Sequence, residues 1–172
     1  MPQSESRSQV SSQAELTAEL TSFYTFLTAL HLPPSSLKIP PPTGWPTLTP
    51  QNLSFLSKTP TAVNLIKHLP LIDSDTPQHP YQIYEKTSCV DYTSEAFEKS
   101  FGVANAAPDI ADPMEEICEV QGHVVTIAQT SGGRDGYYIL CDTERWTITI
   151  CDFQIGPGMG TELSLVRCSI YP

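Results

Sequence analysis

Four side chains have the types that acid–base catalysis without a cofactor requires. Asp91 lies between aromatic and hydroxyl residues, and His123 opens a segment rich in β-branched residues. Glu116 and Tyr137 are the other candidates for a proton donor or acceptor. A small isomerase or cyclase needs an apolar pocket and one or two such groups with shifted pKa values. Sequence does not show whether the four side chains meet, and Asp91 could instead cap the short helix that we predict after it.

The sequence contains no motif with the spacing of a metal site, a phosphate-binding loop or a nucleophilic serine. The five cysteines form no C-x-x-C pair and the four histidines form no H-x-x-x-H pattern, so a metal site built from His123, Cys118 and a carboxylate has no support from spacing. The glycine-rich segments at 131–133 and 156–160 fit neither phosphate-binding fingerprint. A G-x-S-x-G motif is also absent. We therefore predict no cofactor and no metal.

The charge balance favours a protein partner over nucleic acid or membrane. Nineteen acidic and nine basic residues give a formal net charge of −10, which repels phosphate backbones and anionic lipid headgroups. A basic patch on another protein, or a cationic small molecule, is easier to bind. Acidity that serves only solubility explains the charge equally well. Trp45, on a proline-rich segment, could anchor a partner or fill its own core.

Length and N-terminal composition predict one intracellular domain. The 172 residues fit a single domain at 12–172, preceded by a Ser/Gln-rich tail at 1–11 that we expect to be disordered. This polar start lacks the apolar core of a secretory signal, and no stretch approaches the roughly 18 apolar residues of a membrane span. We therefore predict a cytoplasmic or nuclear protein with reduced cysteines. That the chain is a fragment of a longer protein remains open.

The N-terminal half predicts helices that prolines interrupt. A helix from about Ser12 to His31 is indicated by apolar side chains that recur at helical spacing, namely Leu16, Leu20, Phe23, Leu27 and Leu30. We expect this stripe to pack on the domain's own core, although a partner-binding helix would show the same pattern. Thr49 and Thr59 each precede a proline and predict the caps of two further short helices.

The C-terminal third predicts an antiparallel sheet. Segments 123–130, 136–142, 145–151 and 162–170 are rich in β-branched and aromatic residues. For the hairpin around Thr143 and Glu144 we pair Asp142 with Arg145, which predicts an apolar face of Tyr137, Ile139, Cys141, Trp146, Ile148 and Ile150. The opposite face is then largely polar and free for contact, and it holds Tyr138, Leu140, Asp142, Arg145, Thr147 and Thr149.

Such a half-solvated sheet is typical of an α+β domain. We therefore predict N-terminal helices packed against a small, mostly antiparallel β-sheet formed largely by the C-terminal third.

Three short motifs carry a resemblance to a known family. They are Leu30–Pro33, Gly44–Trp45, and the stretch from Asp135 to Thr143 followed by Trp146. The chain looks like a filamentous-fungal group related to the SUKH superfamily, which includes fungal cell-wall-synthesis regulators and bacterial toxin-immunity proteins. The resemblance implies an α+β fold and a protein-binding role without catalysis, and it carries over no catalytic residue.

Two functional hypotheses follow. The first is a non-enzymatic protein-binding or regulatory domain that contacts another protein through Trp45, Tyr138, Thr147 and Thr149. The second is a small cofactor-free isomerase or cyclase of fungal secondary metabolism, which would use the four acid–base candidates named at the outset.

Overall fold

The structure is a computed structural model that describes residues 3–74, 81–99, 101, 120–131 and 135–152, with side chains for all of these except 3–12 and 152. The described residues form three α-helices, α1 (Gln3–Leu30), α2 (Pro60–His68) and α3 (Glu95–Glu98). They also form seven strands, which are β1 (Leu37–Lys38), β2 (Leu71–Ile72), β3 (Gln82–Tyr84), β4 (Thr87–Cys89), β5 (Val124–Thr130), β6 (Tyr137–Asp142) and β7 (Thr147–Asp152). Two 3₁₀ turns lie at Pro34–Ser36 and Ser54–Leu56.

The strands build two antiparallel sheets. Strands β1 and β2 pair with each other, and the order β3-β4-β5-β6-β7 forms a five-stranded sheet in which every neighbouring pair is antiparallel. Three of these five strands come from the C-terminal third. The predicted α+β class, with mostly N-terminal helices and a sheet formed largely by the C-terminal third, is confirmed.

The local signal for α2 is also confirmed. Thr59 precedes Pro60 at the first helical position, and its hydroxyl accepts a hydrogen bond from the Ala62 amide at 3.3 Å. Thr49 closes a turn in the same way, through the Asn52 amide at 3.2 Å. The short helix predicted there is a 3₁₀ helix at Ser54–Leu56, and no α-helix begins at Pro50.

The hairpin between β6 and β7 has a longer turn than predicted. Asp142 pairs with Thr147 and Ile139 pairs with Ile150, a shift of two residues from the predicted pairing. The cause is local, because Asp142 Oδ1 accepts hydrogen bonds from the Glu144 amide at 2.9 Å and the Arg145 amide at 3.0 Å, which stabilises a four-residue turn. A shift of two preserves the side of every residue that stays in a strand, so Ile139 and Ile148 lie on one face as predicted. Arg145 and Trp146, which were expected to pair across the hairpin, lie in the turn.

The helix α1 is rotated relative to the prediction. Its buried side chains are Leu16, Tyr24 and Leu27, at 9%, 0% and 6% exposure. Phe23 and Leu30, which were expected in the core, are 41% and 62% exposed. Two rows at helical spacing run along this helix, and the sequence pattern did not decide which of them faces the sheet.

Candidate functional site

Asp91, the first acid–base candidate, lies in a buried network. Its side chain is fully buried. One carboxylate oxygen accepts hydrogen bonds from Lys38 Nζ at 2.8 Å and the Ser74 amide at 3.1 Å. The other accepts from the Thr93 amide at 3.0 Å and the Thr93 hydroxyl at 2.8 Å. A general base needs a lone pair that faces the substrate, whereas this carboxylate is occupied by groups that hold the start of α3 to β1.

Lys38 connects this network to a second carboxylate. Its ammonium lies 2.7 Å from Asp73 Oδ1 as well as 2.8 Å from Asp91 Oδ2. Burial alone would lower the pKa of Lys38, but the hydrogen bonds and charges of the two carboxylates outweigh it and raise the pKa above its ordinary value. The ammonium therefore stays charged and pairs the buried carboxylate, so the cluster ties β1, β2 and the segment after β4 together.

His123, the second acid–base candidate, lies beside the β6–β7 turn. Its Nε2 is 3.9 Å from Asp142 Oδ2 and its Nδ1 is 3.8 Å from Glu144 Oε1. These distances are too long for hydrogen bonds. Its carbonyl accepts hydrogen bonds from the Thr143 amide at 3.0 Å and the Thr143 hydroxyl at 2.7 Å. The residue thus fixes the turn to the start of β5, with two acidic side chains close to the ring.

Trp146 closes the same turn in a strained conformation. Its φ is 52°, a region that bulky residues rarely adopt. Its indole Nε1 is buried, and it has no hydrogen-bond partner among the described residues. The ring packs partly against the core. The turn is therefore held by packing and by Asp142, at some cost in backbone strain.

Tyr137 lies apart from both clusters. Its amide donates to Thr87 Oγ1 at 3.0 Å and its ring lies 5.4 Å from that of Tyr84. It occupies the opposite end of β6 from the turn near His123, about 17 Å along a strand of this length. Glu116 lies outside the described residues. The contacts of Asp91, His123 and Tyr137 do not include one another, so these three do not form one catalytic site.

Among the described residues, no group of three or more His, Cys, Asp or Glu side chains is arranged so that it could hold a metal ion.

Trp45, the first partner-binding candidate, is used within the chain. Its indole Nε1 donates to the Leu69 carbonyl at 3.0 Å, its amide donates to the Lys67 carbonyl at 2.9 Å, and its ring packs against the core. Gly44 before it has a φ of 76°, and a Cβ there would lie 2.8 Å from the Lys67 carbonyl oxygen. These contacts favour the core alternative that the sequence left open, since Trp45 is partly buried and packs beside the C-terminal end of α2.

The expected exposure of Tyr138 is wrong. The residue is only 6% exposed, while Thr147 and Thr149 on the same face of the sheet are partly buried. Alternation along a strand determines which side a residue faces. Which side stays open depends on segments that are distant in sequence, so the pattern did not reveal that Tyr138 is covered.

The most exposed apolar surface lies on α1. Six large apolar side chains are exposed among the described residues, and three of them fall within eight positions of this helix: Phe23 at 41%, Phe26 at 58% and Leu30 at 62%. Residues three and four apart share a helix face, so the three form one row, called here the α1 apolar row. Sequence reasoning missed Phe26. The signal that could have revealed it is the wide arc of apolar residues around α1, which is wider than a single contact with the core requires.

The buried cysteines give a test of the core. Burial raises the pKa of Cys89 to about 11, and burial together with the charge of Asp142 raises the pKa of Cys141 to about 12. We expect iodoacetamide to alkylate both at least about tenfold more slowly in the folded chain than in the urea-unfolded chain, because only the thiolate reacts. Peptide mass spectrometry over a time course measures this. Equal rates in the two states would show that these thiols are not buried.

Comparison with known proteins adds no assignment. No protein-family model, no curated protein and no solved structure matches this chain. Among the helices of the described residues, none combines the length and the apolar character needed to cross a bilayer.

Proposed function

We propose that this chain is a non-enzymatic protein-binding or regulatory domain, the role that its resemblance to the SUKH superfamily also implies. The observation that supports this proposal is the α1 apolar row. Among the described residues, three large apolar side chains on one face of α1 are exposed, although the same helix buries Leu16, Tyr24 and Leu27. An exposed apolar patch of this kind is typical of an interaction site.

The acid–base candidates support the same proposal. Asp91 has both carboxylate oxygens occupied by internal donors, and its contacts are separate from those of His123. Catalysis would require such groups to converge on one cleft. We therefore propose the α1 apolar row as the contact surface, in place of the sheet face and the Trp45 loop that the sequence suggested.

Affinity capture from cells of the source organism tests this function. The full chain is compared with Phe26→Asp, which places a charge in the α1 apolar row, and with Thr25→Asp, which adds the same charge at the neighbouring exposed position on a different helix face. We expect at least one identified protein to be captured by the wild type and by Thr25→Asp and lost with Phe26→Asp. The purified partner must then reproduce this order of binding to each variant.

Capture of no protein above background would contradict the proposal. So would partners that bind Phe26→Asp as well as they bind the wild type. Circular dichroism of both variants confirms that the added charge has not unfolded the chain.

A further inference from the structure

We infer that the partner segment is an amphipathic helix that carries Lys or Arg beside its apolar side chains. This inference rests on the proposed function and deepens it, because it states the shape and the charge of what the α1 apolar row binds.

The shape of the row favours a helix over an extended peptide. Phe23, Phe26 and Leu30 span seven residue steps, or about 10 Å along the helix axis. The backbone N–H and C=O groups between them are occupied by the hydrogen bonds of α1. This surface therefore offers side chains alone, and it cannot pair its backbone with an added strand. A second helix with apolar side chains at i, i+3, i+4 and i+7 matches both the length and the spacing.

The charge beside the row determines the sign of the partner. Between residues 13 and 30 the sequence holds two acidic residues, Glu15 and Glu19, and no Lys or Arg. Glu19 is exposed and lies one turn before Phe23, on the face that carries the row. A Lys or Arg next to the apolar anchors of the partner would meet this carboxylate at the edge of the contact. Opposite charges at such an edge steer association and select the partner.

A second copy of this chain is a poor occupant of the same surface. Each copy carries a formal charge of −10. Like charge of this size opposes self-association. A symmetric pairing of two α1 helices would also use the same acidic face on both sides, because a two-fold interface is self-complementary. The occupant is therefore a different molecule of opposite charge.

A designed peptide tests the inference without knowledge of the natural partner. The probe is a fluorescent 18-residue peptide of Leu and Lys, with Leu at the i, i+3, i+4 and i+7 positions. A scrambled peptide of the same composition and a Leu/Glu peptide of the same pattern are the controls. Anisotropy titration of the full chain at low and at physiological salt gives the affinities. We expect the patterned Leu/Lys peptide to bind tightest, and to bind less tightly as salt rises.

Three variants locate the binding. Phe26→Ala should weaken the patterned Leu/Lys peptide by at least about tenfold, as expected for a central aromatic anchor. Glu19→Gln should weaken it about two- to fivefold, because an exposed ion pair contributes little. Thr25→Ala, at an exposed position on another helix face, should change the affinity less than about twofold.

Several outcomes would overturn the inference. One is equal binding of the patterned and scrambled Leu/Lys peptides, which would reduce the effect to net charge. Another is binding of the Leu/Glu peptide as tight as that of the Leu/Lys peptide, and a third is unchanged affinity in Phe26→Ala. Light scattering that finds a dimer in the wild type and a monomer in Phe26→Ala would assign the row to a second copy.

The proposed function is judged separately, by capture from cells. If a natural partner depends on Phe26 while the Leu/Lys peptide fails to bind, the inference is wrong and the function stands.

Discussion

Lys38→Met is expected to lower the free energy of unfolding by about 3–5 kcal/mol at neutral pH, since it leaves a buried carboxylate without its cation. The Asp91 side chain is fully buried, and Lys38 Nζ is the charged donor at its Oδ2. Removal of one partner of a buried pair costs more than the pair itself contributes, because the remaining charge keeps its desolvation penalty. Urea denaturation followed by circular dichroism measures the loss as a lower midpoint at unchanged slope.

Two controls separate charge from packing in this prediction. Lys38→Arg keeps the cation and should lose clearly less stability than Lys38→Met. Asp91→Asn should also destabilise the chain, because its Nδ2 meets either Lys38 and Ser74 or the Thr93 amide, all of which are donors. The double variant should lose less than the sum of the two single changes. A loss below about 1 kcal/mol in Lys38→Met would mean that water reaches the Asp91 carboxylate in the folded chain.

Tyr24→Ala is expected to cost about 3–5 kcal/mol, whereas Phe26→Ala two positions later should cost less than about 1 kcal/mol. Tyr24 is completely buried, and its hydroxyl lies 3.5 Å from Cys89 Sγ. Truncation leaves a cavity that the surroundings fill only in part. Phe26 is 58% exposed, so its ring contributes little to folding.

Tyr24→Phe serves as the intermediate variant. It keeps the ring and removes only the hydroxyl, so we expect a loss of about 1 kcal/mol. Thermal and urea denaturation of the three variants measure the order. This comparison also examines the orientation of α1, on which the docking proposal depends. If Phe26→Ala destabilised the chain as much as Tyr24→Ala, the α1 apolar row would belong to the core.

For the candidate site residues, the sequence indicated individual side chains but not their partners. Asp91 was singled out because of its neighbours, and a role as the cap of the next helix was considered for it, but Ser94 caps α3. Its main partner, Lys38, lies 53 positions earlier in the chain. No local pattern predicts such a pair, because it is created when β1 and the segment after β4 come together. His123 was likewise noticed from sequence, while the nearness of Asp142 and Glu144 depends on the register of the sheet.

The α1 apolar row was missed for a related reason. Leu16, Leu20, Phe23, Leu27 and Leu30 fit one helical stripe, and the prediction did not consider Phe26, three positions after Phe23. On a helix with 3.6 residues per turn, two neighbouring rows satisfy the same spacing rule. The rotation that buries Tyr24 instead of Phe23 is set by what the sheet presents to the helix.

The sequence by itself determined the features that depend on neighbours along the chain. These are the cap of α2 at Thr59, the shared face of Ile139 and Ile148, the α+β class and the acidic charge, since each follows from short-range sterics, alternation or composition. Only the tertiary structure decided which apolar row of α1 is exposed among the described residues. It also decided that Trp45 packs against the core, that Tyr138 is buried, and that Asp91 is paired with Lys38. Burial and ion pairing depend on contacts between distant segments, and no periodicity within one segment specifies them.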